Sequence, residues 1–268
     1  MPLFTPFACL ILLCAQAACV MADQPSPAVV HDLAPSGRLR VAINLGNPVL
    51  AQKPPGANGP QGVSADLARE LGRRLKLPIE FLTYDAAGKV VAAAREHAWD
   101  IAFLAIDPVR ADTIAFTHPY VVIEGAYLVP ADSPLRTIEA VDQPGVRVAV
   151  GRGSAYDLFL TRELHEARRV EAATSSEALE IFLRDKLEVA AGVRQPLALF
   201  AGSHPEVRLL PGQFMAIRQA IAFPMGHEAG AHYLNTFIEE MKVSGFVAKA
   251  LAASGQDPRL AAPQGLSQ

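Results

Sequence analysis

Two rhythms of apolar residues alternate along this chain. Short runs such as Leu39–Asn44, Ile79–Tyr84 and Ile101–Ile106 are bounded by turn residues, which is the signature of buried strands. Between them, apolar residues recur at helical spacing. Val63, Leu67, Leu71 and Leu75 form one stripe of a helix that starts near Ser64 and ends before Pro78. A second helix is predicted over Ala86–His97. After Pro130 the alternation begins again. Strands over Val146–Val150, Arg169–Ala172 and Glu188–Ala191 lead to helices from Ser154, Ser175 and Arg194. Thr174 and Glu177 have capping-box spacing. Gly230–Ser254 is helical with no new strand set. Strands alternating with helices at this pace predict an α/β fold of mostly parallel sheet with right-handed crossovers.

Two strand-to-helix junctions carry candidate chemistry. Asp107 supplies an N-cap oxygen after the run Ile101–Ile106, and Pro108 suits the first helical position. Arg110 then projects from the first turn of a helix, just past the carboxyl end of a strand, where open α/β sheets bind ligands. A guanidinium there offers a rigid fork that matches a carboxylate. The plainer alternative is a solvated arginine paired with Asp107 or Asp112. The second junction is Gly151-Arg-Gly153-Ser154-Ala155. Helix-start N–H groups can cradle an anion there, and glycine allows close approach; equally, this is a tight turn with Ser154 as N-cap. It lacks the Gly-Lys-Ser/Thr ending of a phosphate loop and the third glycine of a dinucleotide site. Asn44 and Tyr156 could also line a cleft, and Trp99 suits the role of closing a helix against the core.

The chain has 268 residues and a net charge of −3. It therefore has no basic field to attract nucleic acid or anionic membrane. Phe7–Leu13 is an apolar core and Val20-Met-Ala22 a small-residue cleavage site, so residues 1–22 read as a secretory signal too short to span a bilayer. All three cysteines, Cys9, Cys14 and Cys19, lie in that segment. The mature domain is then expected to hold no disulfide or thiolate metal site. The seven histidines show no ligand spacing, so neither a metal nor a cofactor is expected. Residues 23–36, rich in Pro, Ala and Ser, read as a flexible N-terminal segment, and residues 255–268 as a C-terminal tail.

The spacing from Arg110 through Phe116, Thr117, Pro119 and Tyr120 resembles a signature of bacterial extracellular solute-binding proteins of family 3, the polar-amino-acid type. Gly62-Val-Ser-Ala-Asp66-Leu-Ala-Arg-Glu-Leu71 and Val146-Arg-Val-Ala-Val-Gly-Arg-Gly153-Ser154 are similar to two more of its motifs, in the family's order. The resemblance covers Gly37 to Ser254. It implies a two-lobe periplasmic-binding-protein-like fold of type II, with the ligand cleft between lobes and the chain crossing between them twice. The crossings would fall near Ile123–Tyr127 and Ile217–Phe223. Lobe 1 would be residues 37–125 and 218–254, and lobe 2 residues 126–217. The resemblance also implies a periplasmic monomer that presents a small-molecule ligand to an inner-membrane ABC permease. In the family, the arginine at the position of Arg110 holds the ligand's carboxylate, and Gly153, Ser154 and Ala155 contact the same group from lobe 2.

Three departures from the family pattern bear on the ligand. Asp100 to Arg110 is two residues shorter than usual, and Ala105 stands where a hydroxyl is common. Val193 replaces the aspartate that receives an α-ammonium, and Arg194 follows it. The loop from Asn44 to Pro48 lacks the usual aromatic. A buried ammonium without a partner is costly, so these changes point to an anionic or neutral ligand, such as a small carboxylate bridged by Arg110 and Arg194. Alternatively, Arg194 is a surface residue at a helix start. The expected function is binding of a carboxylate-bearing solute, an amino acid or a related organic acid, without chemistry. A cyclohexadienyl-dehydratase-like enzyme would need an acid on the lobe-2 helix, and Arg194–Phe200 contains none. A periplasmic ligand sensor is a third reading, chemically identical to the first.

Overall fold

The computed structural model describes residues 25–267; the proposed signal segment and the three cysteines lie outside them. The first half runs through helix α1 (Pro27–Leu33), strand β1 (Leu39–Asn44), helix α2 (Val63–Leu75), strand β2 (Ile79–Tyr84) and helix α3 (Ala87–Ala94). Strand β3 (Ile101–Ala105), the single-turn helix α4 (Pro108–Ala111) and strand β4 (Ile114–Phe116) follow. The long strand β5 (Val121–Pro130) leads to β6 (Arg147–Gly151), α5 (Ala155–Glu163), β7 (Arg168–Ala172), α6 (Ser175–Arg184), β8 (Val189–Val193) and α7 (Arg194–Ser203). Strand β9 (Val207–Leu209) and a second long strand, β10 (Met215–Pro224), precede α8 (Glu228–Val243) and α9 (Phe246–Ala253).

Two parallel groups make the lobes. Strand β1 pairs in parallel with β2 and β3, and β6 pairs in parallel with β7 and β8. Strands β5 and β10 join the groups. They pair antiparallel with each other from Val121↔Gln219 to Gly125↔Met215. Beyond that register they diverge, β5 joining β8 through Gly125–Leu128 and β10 joining β3 through Gln219–Ala222. The segments expected as crossings therefore lie in two strands that pair with each other, β10 continuing along β3 and β5 along β8. Tyr127 and Phe214 stack at 4.3 Å where they part, and a Cβ on Gly125 would sit 2.7 Å from Met215 Cγ.

In each lobe helices pack against the strands. In the first lobe Val90, Trp99, Ala102, Leu104 and Phe116 pack together, and Trp99 Nε1 donates to the Val90 carbonyl at 2.9 Å. This is the helix-closing role expected of Trp99. In the second lobe Leu128, Phe182, Leu187 and Leu197 do the equivalent.

Two terminal expectations are corrected. Residues 27–33 are helical rather than a loose tether, because Ser26 caps Val29 and Pro27 starts the turn. Leu33 is then buried against α8, where a Cβ on Gly230 would meet its side chain at 2.8 Å. At the other end, Ala262 donates to the Tyr120 carbonyl at 2.9 Å and Lys242 Nζ to Pro263 at 3.1 Å. Residues 258–263 are thus docked on the first lobe rather than trailing.

Candidate functional site

The carboxyl ends of parallel strands from both lobes meet at one cavity of about 50 Å³. Asn44 ends β1, Ala105 ends β3, Gly151 ends β6 and Val193 ends β8, and all four line it together with Arg110 and Tyr156.

Arg110 is placed as its sequence context predicts. Asp107 caps α4 by accepting from Val109 N at 2.9 Å, and Pro108 occupies the first helical position. The Arg110 side chain then turns into the cavity and is buried. Its Nη1 donates to the Ala105 carbonyl at 2.8 Å, and its Nη2 to the Gly153 carbonyl at 2.8 Å. Nε is buried with no hydrogen-bond partner. The pairing with Asp107 that a solvated arginine would make does not form, because Asp107 bonds Arg162 at 3.0 Å across the lobes. Arg110 is left as a buried cation among carbonyls. Burial lowers its pKa to about 10, with Asp107 opposing, so the guanidinium stays charged at neutral pH.

The second junction is more self-satisfied than an open anion cradle. Gly153 N donates to Asp157 Oδ2 at 2.8 Å, Ser154 N to the Gly151 carbonyl at 3.1 Å, and Ser154 Oγ accepts from Asp157 N at 3.1 Å. An anion there would meet the N–H groups of Ala155 and Tyr156, which begin α5. Gly153 reaches the site through its carbonyl. Its φ of +69° is costly for other residues, and a Cβ there would lie 2.9 Å from Gly88 Cα. Burial raises the Asp157 pKa.

Of the eight candidate residues, Asn44, Ala105, Arg110, Ser154, Ala155 and Tyr156 line the cavity. The expectation for Arg194 is corrected. Its Nε is paired with Glu124 on β5 and its Nη2 donates to the Gly212 carbonyl, so it braces the start of α7 rather than facing the cleft.

Several lining residues escaped the sequence reading. Tyr156 hydroxyl bonds Ser175 Oγ at 2.7 Å. Ser175 follows strand β7, so the strand-end rule that found Arg110 also points to it. Gln219 and Phe103 line the opposite wall. Phe103 meets Tyr120 edge-on at 5.7 Å, and the Tyr120 hydroxyl bonds Ser64 Oγ at 2.8 Å. Among the described residues, no group of His, Cys, Asp and Glu is arranged to hold a metal.

Two α/β lobes joined by paired strands, with a buried cation in the cleft between them, define the class of two-lobe solute-binding proteins. The chain belongs to the bacterial extracellular solute-binding proteins of family 3, whose model matches residues 39–253. Solved structures agree on the fold. A mutant of ArgBP from T. maritima superposes with a TM-score of 0.73 at 19% identity, covering 85% of this chain and 99% of that one. A solute receptor for L-cysteine of Neisseria gonorrhoeae gives 0.73 at 19% identity over 85% and 92%. The ancestral amino acid-binding protein AncCDT-1, a precursor of cyclohexadienyl dehydratase, gives 0.70 at 21% identity over 84% and 98%. No curated protein sequence matches the chain.

Proposed function

We propose that this protein is the periplasmic, monomeric solute-binding component of an ABC importer. On this reading it closes around a small carboxylate-bearing solute and presents it to an inner-membrane permease. The buried Arg110 guanidinium, reaching carbonyls of both lobes with Nε unmatched, carries this reading. A cation taken out of water needs an anion close by, and a ligand carboxylate between the lobes meets that need while favouring closure.

Catalysis on the same scaffold has less support. Among the described residues, the cavity lining holds no Asp, Glu or His to move a proton. Among the described residues, no helix is long and apolar enough to cross a membrane.

Thermal unfolding of the purified protein with a panel of small carboxylates tests the reading. A ligand at 100 times its Kd adds about 2.7 kcal/mol, or roughly 5 to 10 °C for a chain of this size. A panel in which no carboxylate raises the midpoint overturns it.

A further inference from the structure

The charges of the cavity are unbalanced in one direction. Arg110 is its buried cation, and among the described residues no carboxylate lines the walls. The nearby acids are already committed. Asp107 pairs with Arg162, Asp157 accepts from Gly153 N and pairs with Arg169, and Glu124 pairs with Arg194. A ligand ammonium would therefore be desolvated beside a fixed guanidinium with only neutral acceptors around it. The rest of the lining suits an uncharged body, with Phe103 and Ile217 as apolar wall and Asn44, Ser175 and Gln219 as neutral polar groups.

Size and net charge narrow the ligand further. The cavity is small, about 50 Å³, and suits a short acid. Arg152 also lines the cavity, but its Nε is bound to Glu171 at 2.9 Å and its side chain is 68% exposed. One uncompensated cation calls for one anionic charge.

We propose that the site takes a short monocarboxylate without an ammonium group: an unsubstituted, 2-hydroxy or 2-oxo acid rather than an amino acid. This rests on the solute-binding reading above and narrows its ligand class.

The test is a matched series on the full purified chain, by calorimetry and thermal unfolding, using propionate, both lactates, pyruvate, both alanines and succinate. The expected result is binding of propionate, pyruvate or at least one of the lactates, with either alanine at least 100-fold weaker. Alanine binding as tightly as its deaminated counterparts, or succinate binding in their place, overturns the proposal while the solute-binding reading stands. A series in which none of these acids binds overturns the proposal, while the wider carboxylate panel above decides the solute-binding reading. A second measurement adds an acid to the wall. Val193→Asp, or Gln219→Glu if the first does not fold, should shift the alanine-to-lactate affinity ratio at least tenfold toward alanine. An unchanged ratio in a folded variant contradicts the proposal.

Discussion

Arg110 on the first lobe and Gly153 on the second are joined by a 2.8 Å hydrogen bond from guanidinium to backbone carbonyl. The side chain expected to hold the ligand is thus also a tie between the two halves. Lobe closure and ligand affinity are expected to move together, and variants near this bond separate the two.

Gly88→Ala is the cleanest of these. A Cβ at Gly88 would lie 3.1 Å from the Arg152 carbonyl on the opposite lobe. Gly88 is in helix α3, where alanine is favoured by about 1 kcal/mol. The variant should unfold at the same or a higher temperature and bind ligand several-fold more weakly. Gly153→Ala adds backbone strain at φ +69°, so it should lose about 1–2 kcal/mol of stability as well. Calorimetry and thermal melts on both variants check the contrast.

The Arg162–Asp107 pair also spans the cleft, with the Asp107 side chain 3% exposed and Arg162 36% exposed. Arg162→Gln should weaken ligand binding by about 0.5–1 kcal/mol, and the loss should shrink at high salt because Arg162 is partly solvated. Titrations at two ionic strengths measure this.

Arg194 gives the opposite expectation. Since it braces β5 and the Gly212 turn, Arg194→Ala should lower stability by up to about 1 kcal/mol. The ligand-induced rise in melting temperature should persist. Loss of that rise would return Arg194 to the site.

Glu70 supplies a pH-dependent test remote from the cleft. Arg73 and Arg74 hold its carboxyl at about 2, below its ordinary 4.5. A depressed folded pKa contributes stability that is present above the unfolded value and lost as pH falls. Glu70→Gln should therefore be less stable than the parent at pH 7 by about 1 kcal/mol. The gap should close between about pH 4.5 and pH 2. Denaturant melts across that range check it.

Much of the fold was legible because its lobes are built from local units. Leu39–Asn44 and Ile79–Tyr84 form the strands predicted, and Ser154 and Thr174 cap the helices they precede. The capping box is offset by one residue, since Glu177 reaches Ala173 N rather than Thr174 N. What local pattern missed was long-range. Strands β5 and β10 pair with each other across about ninety residues of intervening chain, and β10 carries Arg218 and Gln219 within an otherwise apolar run. Helix α1 was hidden by Pro and Ala-rich composition, although Ser26 and Pro27 are ordinary start signals. In the site, Arg110 followed from its cap and strand. The partners of Arg194 did not, because Glu124 lies 70 residues away.

The most direct measurement compares ligand-induced stabilisation in the parent and in Arg110→Ala over one panel of carboxylates. At least one acid should raise the parent's midpoint by several degrees, and the same acid should leave the variant unmoved, a binding loss of about 2–5 kcal/mol. A rise of equal size in the folded variant would contradict this.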